Sequence, residues 1–267
     1  MRNYLKELNI VGGVGVWSEG EICRYSIENL ISICDRVVIM MDNSDDKTKS
    51  IVMEYKNKYP DIVVVGENNI LPAKEDESIM RRQKKYEGEI IQAAFDLIRK
   101  VHDERPIDIL LFIDSDEMFT DNFPNILEDF VKRKEDTIFI RPIEVYGWMN
   151  VICNKGLVAH AKVYKYVKEI SSIPYSKQNY YLPYRINRNI IKAPWNFVHL
   201  ARLTEENRAL RIKIRSRHSS PDNKLRRVNK PAYQLTPEEH EKVINHPDFI
   251  RLGDWDGEYE SIPLIEL

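Results

Sequence analysis

Short apolar blocks alternate with longer stretches of helical period through the first half of the chain. Asn9 to Val16 is apolar and glycine-rich and predicts a first strand that runs into a loop. From Glu21 to Ile33 the residues Ile22, Tyr25, Leu30 and Ile33, with small Ser26 on the same face, recur at close to helical spacing. Arg36 to Met41 predicts a buried strand. The polar turn after it, Asp42-Asn43-Ser44-Asp45-Asp46-Lys47-Thr48, offers Ser44 or Asp45 as cap for a helix from Asp46 to Lys58 that stops before Pro60. Ile62 to Val65 predicts a third strand and Glu77 to Val101 a long helix. The apolar run Ile109 to Ile113, behind Pro106, predicts a buried strand of a parallel sheet. This β-α-β-α-β order implies parallel strands joined by right-handed crossovers.

After Phe123 the pattern changes. Thr137 to Val145 and Leu157 to Val167 read as strands of a mixed sheet. Ser171 to Pro194 is rich in Tyr, Pro and Asn and weakly periodic, which predicts a long functional loop. Thr236-Pro237-Glu238-Glu239 reads as a helix start capped by Thr236, and the tail beyond Gly253 is acidic. The fold class that follows is α/β: a mostly parallel central sheet flanked by helices, with a mixed-sheet, loop-rich C-terminal part.

Composition narrows the function classes. A chain of 267 residues has room for one large α/β domain or for a domain with an appendage. Its net charge of −2 gives no global case for nucleic-acid binding. No run approaches the roughly 18 apolar residues of a membrane span, and Met1 to Leu8 lacks a secretory pattern. Cys23, Cys34 and Cys153 are scattered, which fits small core residues in a reducing cytoplasm better than a disulfide frame or a zinc site.

The candidate chemistry starts at Asp114-Ser115-Asp116-Glu117, directly behind the strand Ile109 to Ile113. Ligands of open α/β sheets gather at the carboxyl ends of strands. Two carboxylates one residue apart repel unless a cation or strong donors lie between them, and a hard divalent ion carrying phosphates satisfies both. A polar loop that caps the next helix is the bland alternative. Asp42 ends its strand in the same way. It can accept hydrogen bonds from a base or a ribose, or merely shape its turn.

Four features stand in order: Glu21 before an amphipathic helix, the strand and turn Val37 to Thr48, Arg81-Arg82-Gln83 opening a helix, and Leu110 to Glu117. Together they resemble the family 2 glycosyltransferases with the GT-A fold, over about Ile10 to Phe119. The resemblance implies that Trp17, Glu21 and Asp42 frame the nucleotide base and ribose, and that Arg82 or Arg81 approaches the diphosphate. It implies that Asp114, with Ser115 beside it, contacts the ribose or a metal-bound water, and that Asp114 and Asp116 hold Mn²⁺ or Mg²⁺. The usual Arg-Asn pair is Arg82-Gln83 here, and the Asn that commonly precedes Glu21 is Gly20.

A histidine well after the acidic motif often completes the metal site in that family, and His199, between apolar neighbours, is the candidate. Imidazole suits Mn²⁺ better than Mg²⁺. A core histidine bonded to a carbonyl is the alternative, and His160 and His218 compete. For the base that takes the acceptor proton, Glu144 is preferred; Glu117 and Glu169 are the others, although Glu117 can instead hold the loop. The implied activity is transfer of a hexose or pentose, with inversion, from a nucleotide-diphosphate sugar, a UDP-sugar foremost. The acceptor is a glycan, a lipid-linked sugar or a nucleic acid. Residues 1–120 would bind the donor and 121–267 would shape the acceptor side.

Two further patterns stay open. Leu210 to His218 alternates apolar and basic residues, as a charged edge strand, a lid over the diphosphate or a docking face for an anionic acceptor would. Tyr175, Tyr180, Tyr181, Tyr184 and Trp195 suit stacking on a sugar or base, or the packing of a subdomain. The rivals are a sugar-phosphate nucleotidyltransferase, which needs a basic phosphate loop behind the first strand, and a non-catalytic nucleotide- or sugar-binding module.

Overall fold

The periodic blocks of the first half become the expected alternation of strands and helices. A computed structural model describes residues 7–17, 19–42, 44, 46–68, 83–120, 123–146, 151–153, 160–168, 190–200 and 249–251. In chain order the elements are β1 (Ile10–Val16), α1 (Ile22–Ile33), β2 (Arg36–Asp42), α2 (Asp46–Lys58), β3 (Val63–Asn68), α3 (Gln83–Glu104), β4 (Ile109–Asp114) and β5 (Glu117–Phe119). Then come α4 (Phe123–Lys132), β6 (Thr137–Tyr146), β7 (Val151–Cys153), β8 (His160–Lys165), β9 (Ile190–His199) and β10 (Phe249–Arg251).

The strands form one sheet of order β10-β7-β6-β8-β4-β1-β2-β3, with β9 paired to β6 and β5 paired to β9. The wing β4-β1-β2-β3 is parallel throughout. β8 runs antiparallel to both β4 and β6, which makes the second half of the sheet mixed. The chain is therefore an α/β protein in which helices flank a parallel wing.

Both faces of β1 are covered, which explains a strand made only of Ile, Val and Gly. On one face Ile10, Val14 and Val16 join residues of α1, α2 and α4 in a common core. On the other, Val11 meets Phe95, Ile98 and Val101 of α3. The apolar positions Phe123, Ile126, Leu127 and Phe130 fall on one helical stripe and are all buried. α4 is an element not expected above, although its apolar spacing is local. A buried side chain of this size contributes about 1.5–3 kcal/mol.

Glycines set how closely the helices approach. A Cβ on Gly12 would lie 3.0 Å from Cys34 Sγ and 3.0 Å from Leu30 Cδ2, on the α1 side. A Cβ on Gly13 would lie 2.6 Å from Phe112 Cδ2 and 3.0 Å from Ile98 Cδ1, on the α3 side. At Gly15 the nearest atom is Ile90 Cγ2 at 4.0 Å. The first two glycines are packing sites, whereas a Cβ at Gly15 would make only an ordinary van der Waals contact.

Cys23 and Cys34 are buried free thiols. Burial pushes the Cys23 thiol up to about 12 and moves Cys34 well above its ordinary value. The side chain of Cys153 lies outside the described residues.

One expectation is corrected. β9 begins at Ile190, inside the stretch read as a loop up to Pro194. Proline is tolerated there because the β6–β9 register slips between Phe139, opposite Lys192, and Arg141, opposite Asn196. The rest of Ser171 to Pro194, the basic run Leu210 to His218 and the helix start at Thr236 lie outside the described residues.

Gly13→Ala should cost about 1–3 kcal/mol of unfolding free energy, because Phe112 and Ile98 must yield. Gly15→Ala should cost less than about 1 kcal/mol. Urea denaturation of the two variants beside wild type measures the difference.

Candidate functional site

Parallel pairing brings the carboxyl ends of β4, β1 and β2 to one edge of the sheet. Gly15 stands opposite Asp114 on one side and Met40 on the other. Leu110 belongs to the α3-side core, with Phe112 packed against it, so alternation gives Asp114 the same face. Val38 and Met40 likewise face α3, and Asp42 follows them in phase. Trp17 packs against the cluster of Met40, Ile90 and Ala94 on that face. Asp42 is fully buried, whereas the Asp114 side chain is 63% exposed. The Trp17 indole N–H is buried and has no hydrogen-bond partner among the described residues.

The turn after β4 is held from several sides. Ser115, Asp116 and Glu117 are all buried. Ser26 Oγ on α1 donates to the Ser115 carbonyl at 2.7 Å. Leu200 N–H donates to the Asp116 carbonyl at 2.6 Å. Asn29 clasps the backbone of Phe119: its amide donates to the carbonyl at 3.0 Å, and its oxygen accepts the N–H at 2.7 Å.

Glu117 is the hub. Its Oε2 accepts the Asp114 N–H at 2.8 Å and an ion pair from Lys162 Nζ at 2.6 Å. Lys162 Nζ also lies 3.5 Å from Asp114 Oδ2. Burial works against the ammonium, but Asp114 and Glu117 outweigh it and hold Lys162 above the ordinary lysine range. Burial likewise raises its neighbour Tyr164. Lys162 was missed from the sequence. Its only signal is a lysine flanked by Ala161 and Val163, on a strand that pairs with β4, and the nearby Lys165 and Lys168 mask it.

Register brings further candidates near. On β9, His199 stands opposite Glu117 of β5 and Glu144 of β6, so β9 lies between the two glutamates. The side chains of Glu144 and His199 are outside the described residues, as are Arg82, Arg81 and Glu169. His160 pairs with Ile140, farther down β6. Glu21 sits at the start of α1 with its side chain 57% exposed, paired with Arg24 at 2.6 Å and Lys47 at 3.5 Å. Its hydrogen bond from Arg24 lowers its carboxyl below the ordinary range. Ser44 Oγ donates to the Val16 carbonyl at 3.2 Å and ties the loop after β2 to the end of β1.

Among the described residues no three His, Cys, Asp or Glu side chains form a metal-binding group. Asp114 and Asp116 supply two hard oxygen donors one residue apart. That donor type suits Mg²⁺ or Mn²⁺, whose remaining positions are commonly filled by water and substrate phosphate.

No protein-family model and no curated protein matches the chain. Solved structures with a similar arrangement include S. aureus TarS 1–349, at 14% identity and TM-score 0.44, over 89% of this chain and 78% of that one. A longer S. aureus TarS matches at 15% identity and TM-score 0.45, over 89% of this chain and 48% of that one. Glucosyl-3-phosphoglycerate synthase from Mycobacterium tuberculosis, in complex with Mn²⁺, UDP and phosphoglyceric acid, matches at 14% identity and TM-score 0.31. That match covers 55% of this chain and 46% of the synthase, so the chain spans about half of the synthase and of the longer TarS. These structural neighbours are GT-A-fold glycosyltransferases, and nucleotidyltransferases are among the matches as well. At such identities no residue's role carries across, and the α/β assignment stands on the strand order and register given above. Among the described residues no helix is long and apolar enough to cross a membrane.

Glu117→Ala should destabilise the fold by about 3–5 kcal/mol, because it strips the near partner from a buried ammonium. Urea denaturation at neutral pH measures it. Because the folded value of Lys162 is raised, its contribution is full below the unfolded lysine value of about 10.4. It is lost as pH rises through the folded value, so the wild-type advantage over the variant should shrink only in strong alkali.

Proposed function

We propose that this chain is a metal-dependent glycosyltransferase that moves a sugar from a nucleotide-diphosphate donor to an acceptor hydroxyl. The observation that carries the reading is the convergence of Asp42, Gly15 and Asp114 at one carboxyl edge, with Asp116 in the turn beside them. A nucleoside fits that edge. A Cβ at Gly15 would meet only Ile90 Cγ2, at 4.0 Å. Trp17 is assigned as an aromatic wall with an indole donor, and Asp42, buried at the same edge, as the acceptor for a base or ribose. Arg82, just ahead of α3, is assigned to the diphosphate.

Asp114 and Asp116 are assigned to the ion, with His199 as the third protein ligand. The ion supplies electrostatic stabilisation of the leaving diphosphate. Glu144 is assigned as the base for the acceptor hydroxyl. Two strand spacings, roughly 10 Å, separate its backbone level from that of Glu117, with β9 between them. Glu117 is given no proton-transfer role, since its carboxylate is buried and committed to Lys162 and the Asp114 N–H.

The nucleotidyltransferase reading is weakened by the place of the glycines. Gly12, Gly13 and Gly15 are strand residues of β1, and the first two make way for helices. They do not form a phosphate-cradling loop behind the strand.

Calorimetry with UDP, GDP, dTDP and CDP, each with MnCl₂ and with EDTA, tests the proposal. One nucleotide should bind wild type in a Mn²⁺-dependent way, and Asp116→Ala should weaken that binding at least 100-fold. Metal-linked binding that survives in Asp116→Ala would sink the ion assignment. Binding without donor hydrolysis or transfer across a panel of glycan, lipid-linked and nucleic-acid acceptors would point to a binding module.

A further inference from the structure

We infer that Lys162 is a positioning residue for the divalent ion, fixing Asp114 from inside the sheet so that its carboxylate meets the ion on the outside. The inference rests on the transferase reading for the identity of the ion's ligands.

Lys162 reaches Asp114 by two routes. Directly, its Nζ lies 3.5 Å from Asp114 Oδ2. Indirectly, it holds Glu117 Oε2 at 2.6 Å, and that same oxygen accepts the Asp114 N–H at 2.8 Å. Backbone and carboxylate of Asp114 are thus both referred to one buried cation. Exposure divides the group sharply: the side chains of Lys162 and Glu117 are 8% and 5% exposed, that of Asp114 63%. The ammonium is committed to Glu117 and Asp114, and the Asp114 carboxylate is the most exposed part of this group.

Charge supports the same role. Lys162 faces the carboxylates of both Glu117 and Asp114, so one buried cation serves the brace and the exposed aspartate together. Stability alone does not explain the arrangement, because an apolar pair of similar volume often serves a core as well as a buried ion pair or better. An apolar pair would supply no cation against Asp114.

The test uses the full chain as wild type, Lys162→Met and Lys162→Met/Glu117→Gln. The single variant leaves a buried carboxylate without its cation and is at risk of misfolding. In the double variant the glutamine oxygen still accepts the Asp114 N–H, and circular dichroism checks the fold. Calorimetry follows UDP with MnCl₂ and UDP with EDTA, or whichever nucleoside diphosphate wild type prefers. Expected is a loss of at least 10-fold in the Mn²⁺-linked affinity of the double variant, with affinity in EDTA within twofold of wild type. A lysine acting only as a like charge near the ion would give the opposite sign, since its removal would tighten Mn²⁺. Unchanged or tighter Mn²⁺-linked binding in the folded double variant would overturn the role. So would a parallel loss with and without metal, which marks general damage to the pocket. Absence of Mn²⁺-linked binding in wild type would overturn the transferase reading first, and this role with it.

Discussion

Close approach of two helices to one central strand is the constraint on which the rest of the molecule depends. β1 carries no side chain at Gly12 and Gly13, and the two missing Cβ positions lie on opposite faces. Leu30 and Cys34 settle into one gap, Ile98 and the Phe112 ring into the other. The approach lets β1, bare of side chains at its centre, be buried on both sides, as strands of a parallel sheet are. It also fixes what happens at the carboxyl edge. With α1 drawn in over Gly12, Ser26 comes within reach of the Ser115 carbonyl and Asn29 within reach of Phe119. The helix that packs the core thereby grips the acidic turn.

A second level of order is electrostatic. Three carboxylates lie within four consecutive residues, and two of them, on Asp116 and Glu117, are buried. Left alone, such a group would repel and resist burial. Lys162 answers from β8, a strand that enters the sheet antiparallel beside β4. The second half of the chain therefore does more than extend the sheet: it delivers the cation that makes the first half's acidic turn tenable, and through β9 it adds the Leu200 N–H bond to Asp116. A division into a donor half and an acceptor half is useful for assigning ligands, but the two are joined at the turn itself.

The parallel wing was legible because its signals are local. Buried strands read as apolar runs, α1 as a stripe of Ile22, Leu30 and Ile33, and strand ends as acids after apolar residues. Asp42 and Asp114 stand at one edge as that pattern implied. What was not legible depends on partners distant in the chain. Glu117 cannot be recognised as a brace until Lys162 is seen beside it, 45 residues on in sequence. β5 has three residues and no period of its own; its pairing with β9 defines it. β9 carries Pro194, which argues locally against a strand, and only the slip in its pairing with β6 accommodates the ring. α4 is different: its stripe was fully local, and the change of pattern after Phe123 obscured it.

The different surroundings of the acids bear on how the site would work. Asp42 and Asp116 are buried and Asp114 is largely exposed, yet all lie near the end of β1. A buried carboxylate is costly to move, and an exposed one is free to reorient unless something holds it. The Lys162–Glu117 pair supplies that hold without occupying the outer side of Asp114. Preorganisation of this kind matters for a hard cation, which gives up its waters reluctantly and binds well only where oxygen donors already stand in place. The same economy places Glu144 on β6, in the ladder that carries His199 of β9 beside the acidic turn. Because β5, β9 and β6 are hydrogen-bonded neighbours, the spacing between the acidic turn and the proposed base is set by the sheet rather than by a loop. A transfer reaction that needs donor and acceptor held at a constant separation gains from that rigidity.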